Sequence, residues 1–197
     1  GAARTGSGCR GRVAVPDERL DQLAGRLAAL GAEPLVLAAD LQSSAEAQRV
    51  LRETEAHYGR LDILVNNAGV MYLEPIIEAD LGRWERMVQL NLMSLIAATQ
   101  AALPGMRERR DGHVVNISST AGRVSNPNAA AYSATKFGVN AFSEALRREV
   151  YQHNIRVSVI EPGAVATELR EHIGHAAARQ ATNTWAENYV GDESETA

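Results

Sequence analysis

The chain has 197 residues, enough for one domain with a sizeable core, and its 45% apolar and 22% charged composition is that of an ordinary globular protein. A net charge of −4 argues against a nucleic-acid surface, and the densest basic group, Arg107, Arg109 and Arg110, is accompanied by Glu108 and Asp111 and reads as a solvated helix end. The single cysteine, Cys9, excludes an intramolecular disulfide and any cysteine-based zinc site, no segment is apolar and long enough to span a bilayer, and the first residues lack the apolar core of a signal peptide. A soluble, cytoplasmic protein with neither nucleic-acid nor membrane partners is expected.

Residues 1–12, rich in Gly and Arg, show neither strand nor helix periodicity. Val13-Ala14-Val15 is a short strand candidate. Leucines at 20, 23, 27 and 30 then form one stripe of a helix over about residues 18–30, with Gly31 as its cap. Residues 34–39 read as a buried strand ending at Asp40. Ser43 or Ser44 caps a helix that runs to about Tyr58 and stops at Gly59. Residues 61–65 form the next strand, closed by Asn66-Asn67-Ala68-Gly69. A long helix follows over about 81–109, with a kink expected near Pro104. Residues 113–117 are a strand, and a loop with Gly122 and Pro127 comes next. A helix over about 132–152 leads to a strand at 156–160 and the Pro162-Gly163 turn. The tail after about Gly174 is polar and irregular.

Apolar strands alternating with helices imply a parallel sheet covered on both faces, and right-handed crossovers make it a doubly wound α/β fold, a single domain over residues 1–197. In such a sheet the ligand crevice lies outside the carboxyl ends of the strands. Asp40, the turn at 66–69, Ser118, Ser119 and Pro162-Gly163 all follow strands, so they gather along one edge, where the helix of Tyr132 and Lys136 begins. Four residues apart, these two side chains share a helix face. An ammonium beside a phenol favours the phenolate and draws the phenol pKa from roughly 10 toward neutrality, which suits proton exchange near pH 7. Such a pair also arises by chance on amphipathic helices; its place among the converging strand ends singles it out. The five histidines, at 57, 113, 153, 172 and 175, have no metal-ligand partners at recognisable spacing, so no metal is expected.

Asp40-Leu41, Asn66-Asn67-Ala68-Gly69, Asn91 within Leu90-Asn91-Leu92, Asn116-Ile117-Ser118-Ser119, Tyr132-Ser133-Ala134-Thr135-Lys136 and Pro162-Gly163-Ala164-Val165-Ala166-Thr167 follow one another as in the short-chain dehydrogenases/reductases. Over roughly residues 13–170 the chain resembles that family of NAD(P)-dependent oxidoreductases with a Rossmann fold. Residues 128–149 are especially similar to bacterial members that reduce carbonyls on small metabolites. The resemblance implies Tyr132 as general acid for carbonyl reduction or base for alcohol oxidation. It implies Lys136 as the cation that lowers the pKa of Tyr132 and bonds the nicotinamide ribose, and Ser119, thirteen residues before the tyrosine, as donor to the substrate carbonyl. Ser118 is left to bond loop backbone. Asn91 would hold a water linking Lys136 to solvent. Asn67, Ala68 and Gly69 would form the small-residue turn under the cofactor, and Asp40 would reach the adenine amine besides capping a helix. Pro162 and Gly163 redirect the chain, and Val165 and Thr167 would contact the carboxamide end of the nicotinamide. Met71, Tyr72 and Glu74 are candidates to line the substrate pocket. The two long helices would also build a homodimer or homotetramer interface.

The glycine motif departs from the family's pattern. The nearest string is Thr5-Gly6-Ser7-Gly8-Cys9-Arg10-Gly11-Arg12, with Arg10 and Arg12 where the second and third glycines fall. The usual first strand, the helix after the glycines and the last strand are expected to be missing, which implies weak cofactor affinity. Asp17 would favour NAD through a ribose 2′-hydroxyl, whereas Arg10, Arg12 or Arg19 would hold a 2′-phosphate; the balance slightly favours NADP(H) over NAD(H). The rival expectation is a non-catalytic Rossmann module that binds a nucleotide or a protein partner.

Overall fold

The computed structural model describes residues 4–6 and 17–163. Strand β1 (Arg4–Gly6) pairs in parallel with β2 (Val36–Ala38), Arg4 beside Val36 and Gly6 beside Ala38. A strand therefore stands inside the run that the sequence marks as irregular. Three residues are too few to show a period of two, and pairing with β2 rather than an apolar pattern defines the strand. The strand candidate at 13–15 and the rest of the glycine string lie outside the described residues.

Helix α1 (Asp17–Ala29) lays Leu20, Leu23, Ala24 and Leu27 against Pro34, Leu35 and Val36, and Gly31 takes the left-handed conformation after it (φ 81°). The next side chain along β2, Leu37, points the other way, into the main core, because successive strand residues face opposite sides. Helix α2 (Ser44–Tyr58) starts where Ser43 Oγ accepts the Glu46 amide and ends at Gly59, whose N–H returns to the Glu55 carbonyl. Its Ala47, Val50 and Leu51 pack in one core with Leu64, Ala97, Ala98, Ala102 and Met106.

Strands β3 (Ile63–Asn66), β4 (Gly112–Ile117) and β5 (Ile155–Ile160) form a parallel sheet in that order, with Leu64 beside Val114 and Val114 beside Val157. These three residues join the core with Leu146 and Val150 of helix α5 (Ala130–Val150). The expected long helix is α3 (Leu81–Val88), a π-helical turn at Gln89–Met93 and α4 (Ser94–Arg109). Its register breaks at that turn, ahead of the kink expected near Pro104, which sits within α4. No helix among the described residues is long and apolar enough to cross a membrane.

Candidate active site

Alternation within β3 and β4 sends Asn66 and Asn116, neighbours in the register, into the interior at the carboxyl ends of the strands. Asn66 Nδ2 donates to Thr99 Oγ1 of α4 at 3.1 Å and to Asn116 Oδ1 at 2.8 Å; Asn116 Nδ2 in turn donates to Ser143 Oγ of α5 at 2.8 Å. This buried polar ladder fixes α5 against the sheet.

On α5, Tyr132 and Lys136 are both buried, about 6% and 7% exposed. The Lys136 Nζ donates to the Ile117 carbonyl at 2.9 Å and stands 5.7 Å from the centre of the Tyr132 ring. Burial disfavours charge on each group, so the phenol pKa is raised above its ordinary value while that of the ammonium falls to about 8. The expected lowering of the phenol by its neighbour is thus corrected: desolvation dominates, and it is a hydrogen bond with Ser119 that opposes it.

The backbone carries Ser119 from the end of β4 into a 3₁₀ turn at Thr120–Gly122, where its Oγ also accepts the Ala121 amide at 3.1 Å. Ser118, by contrast, is buried and donates to the Lys136 carbonyl at 3.3 Å. The structure therefore brings Ser119, Tyr132 and Lys136 together and leaves Ser118 as a backbone tie.

Asn91 lies in the π-helical turn, nearly sealed from solvent. Its Oδ1 accepts the Val70 amide at 2.8 Å, and its Nδ2 donates to the Val70 carbonyl at 2.8 Å and to Thr135 Oγ1 at 3.2 Å. The Thr135 hydroxyl donates to the Tyr132 carbonyl at 2.7 Å. The Asn91 side chain thus clamps the strand-end turn to the tyrosine helix. Gly69 gives it room, since a Cβ there would stand 3.2 Å from Asn91 Oδ1, a tight contact.

Asn67 and Ala68 are exposed at the mouth of this turn. Asp40, half-buried at the end of β2, accepts the Gln42 amide on Oδ1 at 3.1 Å. Pro162 accepts the Thr120 amide at 3.1 Å, which sets it and Gly163 beside the Ser119 turn. Val165 and Thr167 lie outside the described residues. Met71, Tyr72 and Glu74 are all buried; the Glu74 carboxylate takes the Asp80 amide and pairs with Arg83, so it braces its own loop instead of facing a ligand. Thr135 carries a strut that its place in the motif does not announce. Asn140, four residues beyond Lys136, also faces the Ser119 turn, and that helical spacing is the signal that could have found it.

The short chain dehydrogenase family model matches residues 3–178. An uncharacterised oxidoreductase of Staphylococcus saprophyticus is 36% identical over 136 residues, 68% of this chain and 55% of that protein. The NADP-dependent 3-hydroxy acid dehydrogenase YdfG of Escherichia coli O6:H1 is 39% identical over 149 residues, 75% of this chain and 59% of the relative. The chain thus spans little more than half the length of these curated relatives. Among solved structures, a gluconate 5-dehydrogenase from Burkholderia cenocepacia, in complex with NADP and tartrate, superposes with a TM-score of 0.76 at 28% identity, covering 90% of this chain and 68% of that one. Parallel sheet, converging strand ends and matched family model together mean that this chain belongs to the short-chain dehydrogenase family.

Proposed function

We propose that the chain is an NAD(P)-dependent oxidoreductase that interconverts a carbonyl and a secondary alcohol on a small metabolite, with Tyr132 as proton donor and acceptor. The observation that carries this reading is the meeting of half-buried Ser119 with buried Tyr132 and Lys136 at the strand ends. The residues fit a nicotinamide cofactor: Asn67 and Ala68, exposed, and half-buried Gly69 form a turn that Asn91 links through Thr135 to the helix of Tyr132 and Lys136, which would bond the nicotinamide ribose. Asp40 would take the adenine amine, Pro162 and Gly163 would border the nicotinamide ring, and Val165 and Thr167 its carboxamide.

A nicotinamide held there would supply the hydride chemistry, donating to the substrate carbon in reduction and accepting from it in oxidation. In reduction the Ser119 hydroxyl bonds the substrate carbonyl oxygen, and Tyr132 gives its phenolic proton to that oxygen as the new C–H bond forms. Burial keeps Tyr132 protonated at neutral pH, the state that an acid requires. Lys136, charged below its pKa of about 8, stabilises the phenolate left behind. The proton is replaced through Lys136 and a water at the Asn91 turn; in oxidation each transfer reverses. NADP(H) is slightly preferred over NAD(H), a reading supported by Arg10, Arg12 and Arg19 and by the NADP named for two of the similar proteins. A cytoplasmic homodimer or homotetramer is the proposed form.

NADPH oxidation over a panel of carbonyl compounds, followed at 340 nm, tests the reading. Tyr132→Phe should lower kcat/KM at least about 100-fold while NADPH binding persists; undiminished turnover in that variant would refute it. A second reading, a Rossmann module without turnover, is favoured by Arg10 and Arg12 in place of glycines. Wild-type chain that binds NADPH and reduces no carbonyl would support it.

A further inference from the structure

Glu161 follows β5 and immediately precedes Pro162-Gly163. Its Oε1 accepts from Asn140 Nδ2 and from Arg123 Nε, each at 2.7 Å. The same Asn140 nitrogen donates to the Gly122 carbonyl at 3.1 Å, and Arg123 N–H closes onto the Thr120 carbonyl in the turn that starts at Ser119. Thr120 N–H bonds the Pro162 carbonyl. One carboxylate oxygen therefore ties three pieces: the helix of Tyr132 and Lys136, the Ser119 turn, and the Pro162-Gly163 turn. The fit has no slack. A Cβ on Gly122 would lie 2.8 Å from Asn140 Nδ2 and 2.9 Å from both the Lys136 carbonyl and Ser118 Oγ. Asn140 Oδ1 is buried without a hydrogen-bond partner, and the reversed amide would set that oxygen against two other acceptors. The nitrogen end is thus held toward Glu161.

We propose that Glu161 and Asn140 are positioning residues, whose mutual hydrogen bond holds the Ser119 and Pro162-Gly163 turns in register with the helix that carries Tyr132. The kinetic part of this inference rests on the oxidoreductase reading above. The Arg123 ion pair is the lesser contact: Arg123 is largely exposed, and an exposed pair is screened and entropically costly. The half-buried Asn140 bond does the positioning, so the acceptor atom on residue 161 matters more than its charge.

The test measures kcat, KM for NADPH and the primary isotope effect with C4-deuterated NADPH, together with amide exchange of residues 118–123 in the cofactor-free protein. Glu161→Ala and Asn140→Ala should lower kcat about tenfold and raise the isotope effect, with KM within about twofold, because misplaced reacting groups slow the chemical step. They should also speed exchange at 118–123. Glu161→Gln, which keeps the acceptor, should hold kcat within about threefold, and Arg123→Gln should cost less than Asn140→Ala. Normal kcat and isotope effect in Glu161→Ala, with or without a lower Tm, overturn the proposal, as does a loss in Glu161→Gln equal to that in Glu161→Ala. If the wild-type chain reduces no carbonyl, the oxidoreductase reading fails by itself; the tie is then judged by exchange, and unchanged protection at 118–123 in Glu161→Ala overturns it.

Discussion

Lys136 holds its ammonium where charge is penalised, and that gives the molecule a pH signature. Burial brings its pKa to about 8, against roughly 10.4 for a lysine in an unfolded chain. Below about pH 8 both states carry the proton and the folded state bears the full penalty. Between about pH 8 and 10 the unfolded chain binds more protons than the folded one, so stability rises with pH. The rise is at most about 3 kcal/mol, at roughly 1.36 kcal/mol per pKa unit. Above about pH 10 the buried Tyr132 phenol acts oppositely, because its raised pKa leaves the unfolded state the readier to ionise. Urea denaturation should show this rise in the wild type and a flatter profile in Lys136→Met; parallel profiles would refute it. The pairing of Tyr132 with Lys136 is legible in their four-residue spacing, and Ser119 in its thirteen-residue offset. The direction of the tyrosine shift is not, since spacing sets an ammonium near a ring without saying how dry the place is.

Helix starts and stops are legible because caps are local. Ser43 and Gly59 bound α2 as their residue types require. The π-helical turn is different: residues 81–109 carry one continuous helical pattern, and the interruption coincides with the bonds of Asn91 to Val70, 21 residues away. Such a turn is a tertiary product, and π-bulges are frequent at functional sites. It also sets the cost of losing Asn91. Asn91→Ala leaves the Val70 N–H and carbonyl without their partner in the interior, at ~1–3 kcal/mol for each unsatisfied group, so a loss of about 2–6 kcal/mol in unfolding free energy is expected. Chemical denaturation reads it directly, and a loss below about 1 kcal/mol would mean that the clamp is dispensable.

At the scale of the molecule, alternation of strands and helices implies a parallel sheet covered on both faces, and among the described residues helices cover one of them. α4 and α5 bury the face of Leu64, Val114 and Val157, whereas Ile63, Val65 and Ile160 on the opposite face stay about half exposed among the described residues. Assembly is less legible, because an apolar helix position reads the same whether it packs within the chain or against another copy. Val88, Met93 and Phe137 remain exposed, although Met87, Ser94 and Lys136 beside them are buried. A Cβ on Gly138 would stand 3.1 Å from Leu92, so the 88–93 segment and the Phe137 turn of α5 adjoin. Single exposed apolar residues are ordinary, and these three become a candidate contact surface only through the dimer or tetramer proposed above. Sedimentation equilibrium should therefore find a dimer or tetramer, and Phe137→Glu should weaken association at least about tenfold, roughly 1.4 kcal/mol, with the helical circular dichroism kept. A charge placed in an apolar contact is costly only if the contact forms, so a monomeric wild type would refute the interface, association indifferent to Phe137→Glu would place it elsewhere, and either result would return Phe137 to the ordinary surface.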